Sequence, residues 1–284
     1  MLTDENVGYL PENVPCLVRD LPESTYHGSK SVLTSTRARK LITHTPAHLD
    51  HDMHNPRDTA AFAFGRLVHC MALRPDDVNK EFALWNPPCD ATGKILDRRT
   101  KAGKEAYANF QATLGSRTDV KQDVWLAAEA ASRSVVKTLN GIGYADDAII
   151  EASVYAILDD VLCAARPDIV LQQKTTGMVT LIDIKTTDDL NEYAFRRSFR
   201  KYGYAYQLQH YKECLDHLGY EVDEVLIVAV EKNPPHLART FRVPIYALED
   251  CELDLIDARR KWKRCIEEDD WHAWPDMPCE LELI

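Results

Sequence analysis

Apolar and polar positions change period several times along the 284 residues. Residues 1–30, rich in Pro, Glu, Asn and Ser, have no period and predict a loosely ordered lead-in. Ser35 or Thr36 is placed to cap a short basic helix ending near Ile42, and Thr45-Pro46 opens another through His51. From Ala60 to Leu73 the chain is almost wholly apolar, which predicts a buried helix stopped by Arg74-Pro75. Residues 76–100 are irregular, and 101–139 carry helical spacing in two segments broken near Gly115.

The character then changes. Residues 148–158, 161–172 and 178–187 are rich in Ile, Val and Leu, with turn signals at Asp159-Asp160 and at 174–177. They predict three consecutive strands in an antiparallel meander. Residues 189–218 read as helix, in two pieces meeting near Gly203, with Gly219 as the terminating residue. Residues 225–230 are apolar throughout and predict a central strand buried on both faces. A strand over 239–246, a helix over 249–268 and a Trp-rich tail complete the pattern. The order predicts an α/β (α+β) fold. Its mixed central sheet is flanked by helices and preceded by an N-terminal helical elaboration. The expected organisation is a lead-in over 1–30 and one domain over 31–284. That domain divides into a helical part (31–147), a sheet core (148–250) and a closing helix and tail (251–284).

With 45% hydrophobic and 28% charged residues, the chain is not disordered, collagen-like or a coiled coil. Its apolar runs are too short for a membrane span, and its first residues lack a secretory pattern, so a cytoplasmic location with no membrane partner is expected. The net charge of −11 argues against a general nucleic-acid coat but leaves room for a local basic groove. Basic residues cluster at Arg37, Arg39 and Lys40, at Arg98, Arg99, Lys101 and Lys104, at Arg196, Arg197, Arg200 and Lys201, and over 259–264. Each cluster has a plain alternative as a solvated helix face. None of the eight cysteines forms a C-x-x-C pair, so reduced, mostly buried thiols are expected and a zinc ribbon is not.

Candidate chemistry concentrates in Arg166-Pro-Asp168 and Asp183-Ile-Lys185. Residues two apart on a strand share a face, so Asp183 and Lys185 project together from apolar surroundings. The intervening turn brings Asp168 beside Asp183. Two adjacent carboxylates favour an oxygen-seeking cation, Mg²⁺ or Mn²⁺. Glu151, a charge within another apolar strand, can point to the same place. An edge-strand ion pair remains the alternative for Asp183 and Lys185.

Asp168…Asp183-Ile184-Lys185 resembles the signature of the PD-(D/E)XK nuclease superfamily. Gly65-Arg-Leu-Val-His69 resembles the histidine motif of its RecB-like branch, and Gln207…Tyr211 that branch's Q-x-x-x-Y motif. The Ser-x-Leu-Thr-Ser-Thr-Arg and Thr-Pro-Ala-His lead-in is similar to RecE-type (exonuclease VIII) nuclease domains, including phage and prophage relatives. The resemblance spans roughly residues 30–275.

The resemblance implies that Asp168, Asp183 and His69 ligate the metal, joined by the backbone carbonyl of Ile184. Lys185 would orient or activate the attacking water and offset charge on the pentavalent phosphate, Glu151 would complete the acidic cluster on the metal or through water, and Gln207 and Tyr211 would position Lys185 or a phosphate oxygen. His69 has the alternative of a core histidine, and Gln207 and Tyr211 of ordinary helix residues. Candidate DNA contacts are Arg66, Arg98, Arg99, Arg196, Arg197, Arg200 and Lys201. The implied activity is a Mg²⁺-dependent exodeoxyribonuclease acting on double-stranded DNA ends, 5′ to 3′. It would leave 3′ single strands for an annealing protein of the RecT type and work as a homo-oligomeric ring, a tetramer. Two other readings stand beside it. One is an iron–sulfur nuclease of the CRISPR-adaptation type or a helicase-linked nuclease; the spacing of Cys251, Cys265 and Cys279 argues against a cluster. The other is a non-catalytic DNA-binding or assembly module on the same fold.

Overall fold

The computed structural model describes residues 11–55, 59–143, 148–173 and 176–275. In chain order, its N-terminal part contains β1 (Cys16–Val18), α1 (Glu23–Gly28), β2 (Leu33–Thr34), α2 (Ser35–Thr43), α3 (Pro46–His54), α4 (Ala60–Leu73), α5 (Val78–Glu81), β3 (Phe82–Trp85), α6 (Lys101–Ala112), β4 (Thr118–Lys121) and α7 (Gln122–Gly141). Then come β5 (Ile149–Ile150), β6 (Ser153–Leu158), β7 (Val161–Ala165), β8 (Ile169–Gln172), β9 (Val179–Thr187), α8 (Glu192–Lys201), α9 (Tyr204–His217), β10 (Val222–Glu231), β11 (Ala238–Val243), α10 (Ile245–Glu249) and α11 (Glu252–Glu267).

A five-stranded mixed sheet, ordered β11-β10-β9-β8-β5, forms the centre. β9 and β10 run parallel because α8 and α9 cross over between them, and the other pairs are antiparallel. β10 is buried on both faces from Val225 to Val230, as its unbroken apolar run predicts. Alternation along β9 divides the core. Leu181 faces a cluster with Leu208 and Tyr211 of α9 and Ala38 and Leu41 of α2. Ile182 and Ile184 face a cluster with Leu67 and Val68 of α4 and Ala131 and Val135 of α7. The mixed sheet flanked by helices matches the expected fold class.

The predicted meander is wrong in its connections. β6 and β7 belong to a second sheet, ordered β1-β6-β7-β2, whereas β5, β8 and β9 belong to the central one. The first predicted strand breaks at Glu151, whose φ of 44° turns the chain from one sheet to the other. The second breaks at Arg166-Pro167. There the Arg166 guanidinium donates to Ser153 Oγ and to the carbonyl of Leu21, and lies over the Tyr26 ring. Part of the turn expected at 174–177, Lys174 and Thr175, lies outside the described residues.

Within the lead-in, β1 pairs with β6, and the Tyr26 hydroxyl of α1 donates to the Ala164 carbonyl of β7 at 3.3 Å; residues 1–10 lie outside the described residues. Thr34 caps α2, accepting from the Arg37 backbone N–H at 3.4 Å, in place of Ser35 or Thr36. The region expected to be irregular contains β3, which pairs in parallel with β4, so the N-terminal part is not wholly helical. The end of the Trp-rich tail, with Cys279, lies outside the described residues.

Candidate metal centre

The antiparallel register pairs Ile169 with Ile182 and Val170 with Leu181, so one step further places Asp168 opposite Asp183. Asp168 sits just before β8 begins. Its Oδ2 accepts from the Ile184 backbone N–H at 2.6 Å, continuing the ladder through a side chain. The N–H and C=O of one strand residue leave toward the same neighbour, so the Ile184 carbonyl faces this edge too. α4 packs on the sheet and carries His69 across, with Nδ1 3.3 Å from Asp168 Oδ1. Glu151 arrives through the bend between β5 and β6, where its backbone N–H donates to the Asp168 carbonyl at 3.0 Å. The positive φ at Glu151 therefore belongs to the site as well as to the sheet crossing.

His69, Glu151 and Asp168 each present a ligand atom within 4.8 Å of the others, and they are the only such group among the described residues. Asp183, an expected ligand, is not in that group. It is 1% exposed, and Lys185 Nζ lies 2.5 Å from its Oδ2. Two carboxylates and an imidazole are a donor set suited to Mg²⁺ or Mn²⁺, and the paired Asp183 lies on the same edge.

The electrostatics follow from burial and crowding. Burial, helped by Asp168, pushes Asp183 up to about 6 against the pull of Lys185. Burial and the Asp168 charge raise Glu151. Burial alone would raise Asp168 too, but His69, Lys185 and the Ile184 N–H hold it below the usual carboxylate range. Burial lowers His69, and Asp168 more than offsets it, so the imidazole is raised. Lys185 likewise overcomes its burial through Asp183 and Asp168 and stays charged. Such opposed shifts in one small space make this edge a candidate for chemistry or for holding a cation.

α9 supplies the remaining wall. Gln207 Nε2 donates to the Tyr211 hydroxyl at 2.8 Å, so these two expected residues meet each other. Burial pushes the Tyr211 hydroxyl up to about 12, with Asp183 adding to it. Two further residues went unrecognised in the sequence. Arg74, read only as a helix stop, puts its Nε 2.6 Å from Glu151 Oε2 and also pairs with Glu81 and Asp77. Tyr204 places its ring centroid 5.2 Å from Lys185 Nζ. The spacing Tyr204, Gln207, Tyr211 (i, i+3, i+7) puts all three on one helix face and was the available signal.

The candidate DNA contacts are dispersed. Arg66 is half-buried on α4, three residues before His69. The Arg98 guanidinium lies 3.4 Å over the Tyr107 ring, and Arg99 is paired with Asp97. Arg196 pairs with Glu192, while Arg197, Arg200 and Lys201 are exposed on α8.

A family model described as a PDDEXK-like domain of unknown function (DUF3799) matches residues 35–281. No curated protein matches the sequence. Among solved structures, similarity extends to a proposed exonuclease from Eubacterium rectale, with 11% identity, 86% of each chain covered and a TM-score of 0.49. It also extends to a phage-related exonuclease from Haemophilus somnus, with 13% identity, 84% of this chain and 96% of that one covered, and a TM-score of 0.38.

Proposed function

The chain belongs to the DUF3799 family of PDDEXK-like domains, and on that premise we propose that it is a metal-dependent deoxyribonuclease that degrades duplex DNA from its ends. The observation that carries the reading is the convergence of His69, Glu151 and Asp168 within 4.8 Å, beside the Asp183–Lys185 pair. His69, Asp168 and Glu151 would hold a divalent ion, with Asp183 and the Ile184 carbonyl on the same edge. When bound, Mg²⁺ or Mn²⁺ would supply charge neutralisation and a nucleophilic water at neutral pH. Lys185 then serves the phosphate. Charged at neutral pH, it offsets the negative charge that grows on the phosphate oxygens during attack. Asp183 orients that ammonium, and Gln207 with Tyr211 borders it from α9. Arg74 fixes the Glu151 carboxylate in one direction.

The finer reading is of the RecE type: 5′ to 3′ resection leaving 3′ single strands for a RecT-type annealing protein. A closed homo-oligomeric ring, a tetramer, would keep a chain of net charge −11 on its substrate by topology. Digestion of end-labelled linear duplex with Mg²⁺, beside circular duplex and single strands, tests the activity. Release of label from linear duplex and not from circles, abolished by EDTA, is expected. Equal cutting of circles would replace the exonuclease reading with an endonuclease one, and binding without cutting under all conditions would leave a non-catalytic module. Light scattering tests the ring: a monomer mass at micromolar protein together with processive digestion would refute it.

A further inference from the structure

Tyr202, Gly203 and Tyr204 form the corner between α8 and α9. Gly203 has a φ of 59°, in the left-handed region that favours glycine, and a Cβ there would lie 3.0 Å from Arg39 Cδ. Arg39 Nη1 donates to the Tyr202 carbonyl at 2.6 Å, which pins the corner to α2. The Tyr202 ring stacks on that of Tyr204, with centroids 5.8 Å apart and planes at 26°. Phe199 braces Tyr204 edge-on at 6.0 Å. Tyr204 adjoins Lys185, and Lys201 Nζ lies 5.2 Å from the centroid of the Tyr202 ring. Tyr202 is nevertheless 47% exposed.

A pair of stacked rings thus runs from the Asp183–Lys185 pair to the surface and ends at the half-exposed Tyr202 ring, over which the flexible Lys201 side chain lies. Its surroundings are cationic: among the described residues, Arg197, Arg200 and Lys201 have no carboxylate partner. We propose that Tyr202 and Tyr204 are a stacking platform for a nucleobase of a single-stranded or frayed DNA end, which feeds the adjoining phosphate to Lys185. The inference rests on the nuclease reading and adds the substrate class at the point of entry. A base inside a duplex has both faces covered by its neighbours; an unpaired terminal base has one to offer, whatever its identity. The cations suit the phosphates on either side of that base.

The test is a binding cycle in the Asp183→Asn background with EDTA present, where no digestion is expected. The probe is a fluorescently labelled single-stranded oligonucleotide, used intact and with an abasic residue at each terminal position in turn. Tyr202→Ala should weaken binding of the intact strand roughly 5- to 100-fold, and Tyr202→Phe should restore it. One abasic position should cost the otherwise unaltered protein the same factor, yet cost Tyr202→Ala little more. Equal abasic losses in both proteins, or abasic strands that bind as well as intact ones at every position, would overturn the platform; the latter needs no Tyr202 variant to fold. The nuclease reading fails separately. If the unaltered protein cuts no DNA with Mg²⁺ while the cycle holds, the platform stands without the enzyme. If it cuts and the cycle is absent, the enzyme stands without the platform.

Discussion

At the scale of residues, the site is a balance between burial and charge. Asp183 is all but inaccessible, and Lys185 beside it favours its ionised form against the effect of burial. Asp183→Asn keeps the shape and removes one negative charge from a crowded edge. It should lower Mg²⁺-dependent cleavage by roughly 10- to 100-fold and leave the melting temperature close to that of the unaltered protein. Cleavage rate and thermal melting on the same preparation check both halves. His69 separates two roles more sharply. Its Nδ1 faces Asp168 and it is about one-fifth exposed, which suits a ligand better than a core residue. His69→Ala should therefore abolish metal-dependent activity with little change in melting temperature. The opposite result, retained cleavage and a large drop in melting temperature, would make it a packing residue.

At the scale of elements, the apolar seam between α9 and the second sheet contains one buried imidazole. His210 Nε2 meets the Ala164 carbonyl at 3.1 Å in a fully buried position. Burial, against the pull of that carbonyl, takes its pKa from the usual 6.5 to about 4. Between those values the unfolded chain binds a proton that the folded chain does not. Stability should therefore fall as pH drops from about 6.5 toward about 4, by up to about 1.4 kcal/mol per unit from this group. His210→Gln, which retains a donor toward Ala164, should flatten that part of the curve in urea unfolding followed against pH. The sequence shows this helix by its spacing but not the sheet beneath it. The apolar run of β10, the alternation of β9 and the Asp183–Lys185 pair were legible because period and charge are local signals. The transfer of the chain between sheets at Glu151 and Arg166 was not, since either long apolar segment reads as one strand. What divides them is a bend and a set of Arg166 bonds to residues far away in the chain. β3 and β4 escaped notice for a similar reason: two four-residue strands paired in parallel across 32 intervening residues carry almost no local pattern.

At the scale of the whole molecule, the question is how a chain with 34 basic and 45 acidic residues would hold the proposed DNA substrate. Most of the basic clusters seen in the sequence are occupied within the fold. Arg37 donates to the carbonyls of Ser29 and Val32, and Lys40 pairs with Asp52. Arg259 is buried between Asp159 and Glu213, and Lys261, Lys263 and Arg264 each have an acidic partner. What remains beside the candidate centre is α8, where Arg197 and Arg200 stand exposed. A phosphate contact releases about one counterion, so each one lost lowers the slope of log affinity against log salt by roughly 0.9. Arg197→Glu combined with Arg200→Glu should thus weaken duplex binding and flatten that slope by about two. Lys263→Glu, which alters a cation already facing Asp160, should change the slope much less. Titration of a fluorescent duplex over a range of salt concentrations decides the matter. Equal slopes in the α8 double variant and the unaltered protein would mean that DNA reaches the centre by a path that avoids α8.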